Sequence, residues 1–294
     1  MYKQIDANIR KTFLLITIFL IFIIGLGWVF AWIFASPWIL YLAVFISIFQ
    51  AWISYFYSDK IALAVSGARE VKRQEALDLY RIIENLTITA GLPKPKIYIM
   101  NDPSLNAFAT GRDPDHSAIA VTSGLLEKLD KSELQGVIAH EMSHIKNYDI
   151  RVMTIVVVLV GAIALASNFF LRSLWWGRGG RGKDGGQLGV ILMIAGIVLA
   201  ILAPLIAQLI QLAISRKREY LADASGALLT RYPEGLASAL EKIQNNSTPM
   251  KRANRATAHL FIANPFSAKK ISGLFATHPP IQDRIEKLRE MIGK

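Results

Sequence analysis

The sequence predicts a mainly α membrane protein, in which transmembrane helices carry a cytoplasmic α+β domain with a small sheet. Three observations lead there. Of 294 residues, 53% are hydrophobic and only 19% charged, below the roughly 25% of soluble chains. The charges are also segregated: residues 12–35, 37–58, 152–171 and 185–215 contain no Asp, Glu, Lys or Arg. Between these stretches lie short β-branched and aromatic runs that supply a sheet. Together they exclude disorder and an ordinary soluble enzyme.

Each uncharged stretch reaches the roughly 20 residues that cross a hydrocarbon core of about 30 Å. The run after Arg10-Lys11 is too long for the apolar region of a cleaved signal, about 7–15 residues. Residues 1–59 are therefore expected to form a retained anchor of two transmembrane helices. Lys3, Arg10 and Lys11 precede the first span, and Lys60, Arg69, Lys72 and Arg73 follow the second. The turn between them, Ala35-Ser36-Pro37, is uncharged. The positive-inside rule then puts the N-terminus and everything just after residue 58 in the cytoplasm of a multi-pass cell-membrane (inner-membrane) protein. This topology, rather than nucleic-acid binding, accounts for a net charge of +11. The absence of cysteine excludes disulfides and thiolate metal ligands.

Residues 60–151 read as the first part of the α+β domain. Helical spacing over 61–90 predicts one helix that stops at Gly91-Leu92-Pro93. Residues 96–100 (KIYIM), 107–110 and 118–122 have strand character. Asp130 with Glu133 three residues on forms a capping-box pattern that opens a helix running to about Asn147. The pair of apolar stretches within 152–215 is expected to form a second transmembrane hairpin, and 216–294 to complete the domain. There, 216–229 is helical, the Asn-rich 245–255 is a mobile loop, and an amphipathic helix follows Pro279-Pro280. No internal repeat is present.

The sharpest chemical signal is His140-Glu141-Met142-Ser143-His144. On a helix, residues four apart share a face, with Cβ atoms about 5–6 Å apart, so two imidazoles reach one tetrahedral Zn²⁺. Glu141 is turned about 100° from His140, where its carboxylate reaches a water at the metal without ligating it. A catalytic zinc needs a third protein ligand. His116, His259, His278 or a carboxylate can fill that place, and Glu219, one turn before Asp223, is the best candidate. An ordinary salt bridge of Glu219 with Arg216, Lys217 or Arg218 competes with that reading, and spacing alone does not decide between them.

AHEMSHIKNYD (139–149), EYLAD (219–223), NAFATG (106–111) and THPPIQDR (277–284) occur in the order found in HtpX-type membrane proteases, gluzincins related to the CAAX prenyl proteases. The chain resembles that family over nearly its whole length. The resemblance implies a zincin-like fold and a zinc metalloendopeptidase with one Zn²⁺ per subunit, held by His140, His144 and Glu219, with Glu141 as general base. It further implies Asp223 as hydrogen-bond partner of a ligand imidazole and His278 as stabiliser of the oxyanion. Its substrates would be misfolded or membrane polypeptides, in protein quality control and stress response. Asn106, Ala107 and Phe108, with Ala109, are candidates for an edge strand that binds an extended substrate. His116 and His259 read as surface or loop histidines, and Trp175-Trp176 as interfacial anchors.

Were the helix of His144 continuous into the apolar stretch, it would lie about 12 Å from the membrane boundary. Glu219 would lie about 6 Å from the other boundary, so the two stretches must cross as a hairpin or not at all. The loop between them holds Arg172, Arg178, Arg181 and Lys183 against Asp184, contrary to the positive-inside trend. The lower cost of burying long uncharged segments favours the hairpin. CAAX-type processing is the alternative enzyme reading, and it fits less well because such enzymes carry more spans. A non-catalytic membrane scaffold is the alternative from another class.

Overall fold

A computed structural model describes residues 2–33, 35–176, 216–246, 248–254, 256–266 and 279–292. Two helices, α1 (Tyr2–Ile33) and α2 (Trp38–Phe56), form an antiparallel pair around the Ser36-Pro37 turn. Both are long and apolar enough to cross a membrane. Their outward side chains, among them Phe13, Ile21, Trp32, Trp38 and Phe45, are exposed, as lipid-facing residues are. Gly27 brings the two backbones together, since a Cβ there would lie 2.2 Å from that of Ala43. Small residues permit such close approach between membrane helices.

The expected single helix over 61–90 is instead two helices and a strand. α3 (Ser58–Ser66) stops at Gly67, which adopts φ 69° in the left-handed region. The chain then forms β1 (Ala68–Glu70) before α4 (Leu77–Ala90) begins. Glycine tolerates this conformation without the Cβ clash that restrains other residues, and the strand pairs antiparallel with β2. The remaining strands are β2 (Lys96–Met100), β3 (Ala107–Gly111) and β4 (Ser117–Thr122). The sheet order is β1-β2-β4-β3, with β2 and β4 parallel and the outer pairs antiparallel. After the short α5 (Ser123–Lys128), α6 (Lys131–Lys146) opens on a complete capping box. Asp130 accepts from the Ser132 and Glu133 amides, and Glu133 returns a bond to the Asp130 amide.

Helix α6 does not run on into the next apolar stretch. Tyr148 takes φ 59°, and α7 (Asp149–Trp176) leaves at 84° to α6. His144 and the apolar stretch therefore do not lie along one helical axis, contrary to the continuous helix expected. Residues 152–160 of α7 are buried inside the protein, against α1, α3, β3 and the 3₁₀ turn Ala258–Leu260. Residues 177–215 of the expected hairpin, Gly180 and the stretch 185–215 among them, lie outside the described residues.

The chain resumes with α8 (Arg216–Thr230), α9 (Pro233–Asn245) and α10 (Ile281–Arg289). Helix α9 is not among the expected elements, although Pro at its start and Leu236, Leu240 and Ile243 on its buried face are helix signals. In the expected mobile loop, Met250 is buried and the Lys251 amide donates to Asp102. The sheet separates two apolar cores. On one face Ile97, Ala107, Ile119 and Val121 pack with α4, α6, α8, α9 and α10. On the other, Met100, Phe108, Ala118 and Ala120 pack with α3, α1, α7 and residues 250–261. The period-2 alternation of a strand splits neighbouring residues between these cores.

Candidate metal centre

Three side chains from two helices converge beneath β3. His140 and His144, four apart on α6, point Nε2 atoms at each other across 3.2 Å. Glu219, from the first turn of α8, lies with Oε2 3.9 Å from His140 Nε2 and Oε1 3.5 Å from His144 Nε2. Tetrahedral zinc ligands at roughly 2.0–2.1 Å from the metal stand about 3.3–3.4 Å from one another, and the three separations fall around that value. All three residues are buried. Helix α8 reaches α6 this closely because residue 226 is glycine. A Cβ there would stand 3.0 Å from the His140 backbone nitrogen.

The outer nitrogen of each imidazole is held by a carboxylate. His140 Nδ1 lies 2.9 Å from Asp223 Oδ1, and His144 Nδ1 lies 3.1 Å from Asp149 Oδ2. Each ring donates Nδ1–H outward and keeps its Nε2 lone pair for a metal, the arrangement that fixes the tautomer of ligating histidines. Two guanidiniums anchor these carboxylates. Arg284, fully buried on α10, donates Nε to Asp223 Oδ2 at 2.8 Å and Nη2 to Asp223 Oδ1 at 2.7 Å. Its Nη1 donates to the Ile262 carbonyl at 3.2 Å and lies 3.9 Å from Glu219. Arg218 Nη1 lies 3.4 Å from Asp149 Oδ1.

Among the described residues, this buried cluster sets the carboxylates of Glu141, Glu219, Asp149 and Asp223 against the guanidiniums of Arg218 and Arg284. With neutral imidazoles, two negative charges remain uncompensated, and burying charge without a partner is expensive. A divalent cation would neutralise them. Geometry, tautomer and charge thus all fit a metal such as zinc. Without a metal, protons on His144 and Glu141 take up part of that excess negative charge. Burial pushes Glu141 up to about 7, although a backbone hydrogen bond from Ala109 opposes this. Burial disfavours charge on both imidazoles. For His140 it prevails and lowers the pKa. For His144 the Asp149 hydrogen bond and the Glu219 charge overcome it, raising the pKa to about 9. Asp223 resists its burial and is held down to about 2 by Arg284 and His140.

The remaining candidates are scattered. His116 is exposed in the β3–β4 turn, paired with Asp113 at 2.7 Å. His259 is buried rather than superficial, and its Nε2 lies 2.8 Å from the Met153 carbonyl. His278 lies outside the described residues. Asn106 is buried, with its amide donating to the Ala263 carbonyl at 2.9 Å. Ala107 and Phe108 belong to the edge strand of the sheet. The Ala107 carbonyl accepts from Ile262 at 2.9 Å, and Phe108 packs edge-on against Phe261. Asp149 and Arg284 have no role expected from sequence, and Arg218 is expected there only as a competing salt-bridge partner of Glu219. Asp149 and Arg284 stood inside quoted motifs, and that was their only signal.

Over residues 73–292 the sequence matches the model of Peptidase family M48. It is 50% identical to a protein named Protease HtpX homolog from Caldanaerobacter subterraneus subsp. tengcongensis, covering 99% of this chain and 98% of that one. It is 49% identical to another of that name from Dictyoglomus turgidum, covering 99% and 94%. Among solved structures, the crystal structure of S. mikatae Ste24p aligns with a TM-score of 0.50 and 19% identity. That alignment covers 98% of this chain and 67% of the other, and it shows a shared fold.

Proposed function

The chain belongs to peptidase family M48 and is a membrane metalloprotease, and on that premise we propose that it is a zinc endopeptidase whose metal is held by His140, His144 and Glu219. The observation that carries this reading is the convergence of those three buried side chains, each imidazole locked by its own carboxylate. When bound, zinc supplies the Lewis acidity that polarises a peptide carbonyl and makes water acidic near neutral pH.

Glu141 is the general base. It takes a proton from the attacking water and returns it to the amide nitrogen as the C–N bond breaks. Burial raises the proton affinity of this carboxylate, which suits it to hold the proton in transit. The Ala109 amide hydrogen-bonds Glu141, so β3 runs beside the reacting groups. In this reading an extended substrate pairs with the outer edge of β3, where Asn106, Ala107 and Phe108 set one end. The Ile262 contact with Ala107 marks that end of the cleft. His278 is kept as stabiliser of the oxyanion on the resemblance alone. The catalytic domain, formed by 60–151 and 216–294, faces the cytoplasm below two N-terminal spans and a hairpin over 152–215. It cleaves unfolded or membrane polypeptides at the bilayer surface in quality control and the stress response.

The test is Glu141→Gln in the purified full-length protein. The expected outcome is unchanged zinc content with hydrolysis of an unfolded protein such as casein reduced by roughly 10²–10⁴-fold, the range of general-base contributions. Near-normal hydrolysis would reject the role.

A further inference from the structure

Asn8 stands near the start of α1, ahead of the uncharged stretch, yet it is only 1% exposed. Its amide nitrogen donates to the Asn147 carbonyl and to Asp149 Oδ1, both at 2.8 Å. Its amide oxygen accepts from Arg218 Nη1 at 3.1 Å. Asp149 is the residue that holds His144, and Arg218 immediately precedes Glu219. One side chain of the membrane anchor therefore touches Asp149, which holds His144, and Arg218, which also lies against Asp149 at 3.4 Å. An amide suits this position because it donates to a carboxylate and a carbonyl while accepting from a guanidinium. A carboxylate would repel Asp149, and an apolar side chain would leave buried polar groups unsatisfied. Asn8 also braces the break at Asn147–Tyr148 that turns Asp149 back towards His144.

We propose that the first membrane helix is part of the metal centre, with Asn8 as a positioning residue that orients His144 by fixing Asp149 both directly and through Arg218. The anchor then sets metal affinity as well as location. The proposal rests on the assignment of His140, His144 and Glu219 as zinc ligands.

The test uses full-length protein in detergent, with zinc affinity measured by chelator competition and the visible spectrum of the cobalt-substituted protein as a second readout. Loss of outer partners of metal ligands typically lowers affinity 10–100-fold. Asn8→Leu, one step further out, is expected to lower zinc affinity about 10-fold and to shift the cobalt spectrum at saturation. Asn8→Asp should be worse than Asn8→Leu. Leu15→Ala, two turns along α1 in the contact with α7, should lower the melting temperature and leave zinc affinity and the cobalt spectrum unchanged. Should Asn8→Leu fail to fold, Asn8→Ser, too short to span the same partners, is held to the same two outcomes. Unchanged zinc affinity and an unchanged cobalt spectrum in the Asn8 variant would overturn the role of Asn8 while leaving the ligand assignment intact. A wild-type protein that binds no zinc would overturn both.

Discussion

Arg284 illustrates how much of the site is decided by single side chains far apart in sequence. It is fully buried and makes a two-pronged contact with Asp223, which in turn holds His140. Such a fork-to-fork pair is strong because both guanidinium donors meet both carboxylate oxygens. Removing one member of a buried pair costs about 3–5 kcal/mol, because the other charge stays buried without a partner. Arg284→Met should therefore lower the unfolding free energy by about that amount in chemical denaturation; a loss below about 1 kcal/mol would show that Asp223 has other support. In sequence, Arg284 looks like any basic residue on an amphipathic terminal helix. Asp149 is hidden for a geometric reason. On an unbroken helix it would point about 140° away from His144, and only the turn at Tyr148 brings the two together. The histidine pair was legible because helical spacing alone fixes the face it shares, whereas Glu219, on another helix, was marked out as a ligand only by the resemblance of its EYLAD segment.

At the scale of elements, the strongly patterned segments were legible and those shaped by tertiary contacts were not. The capped α6, the KIYIM strand and the helix of Glu219 follow from local signals. The break at Gly67 does not, since a strand of three residues gains its pairing only from β2. Helix α7 looks from composition like a plain membrane span, but its first turns are packed inside the protein on all sides. Its start shares an apolar core with α1, which supports its running on beside α1 into the bilayer. Because the chain has no native cysteine, single cysteines report on this directly. At Ser132 on α6 and Ser238 on α9, they should react only with reagents that enter the cytoplasm. One at Gly180, outside the described residues, should react with an impermeant reagent added outside. Labelling of Gly180 from the cytoplasm alone would show that the hairpin does not cross.

For the whole molecule, the centre is a junction of parts scattered along the chain. Residue 8 comes from the anchor, 140–149 from α6 and the start of α7, 218–223 from α8 and 284 from α10, and they meet on one side of the sheet edge. Composition alone located the two N-terminal helices that are long and apolar enough to cross a membrane, because charge is excluded from hydrocarbon. It could not reveal that the anchor reaches the centre, because Asn8 carries no periodic or motif signal. With neutral imidazoles the buried carboxylates of the assembled cluster outnumber its guanidiniums, an excess that a dication would balance, and the central claim is that Glu219 completes a zinc site with His140 and His144. The most direct test is the zinc content and affinity of the intact purified chain, compared with Glu219→Ala and with Glu234→Ala, whose carboxylate pairs with Arg289 on the surface. The account predicts one zinc per chain in the wild type and in Glu234→Ala, and a large loss of affinity in Glu219→Ala. Full stoichiometric zinc with unchanged affinity in Glu219→Ala would contradict it.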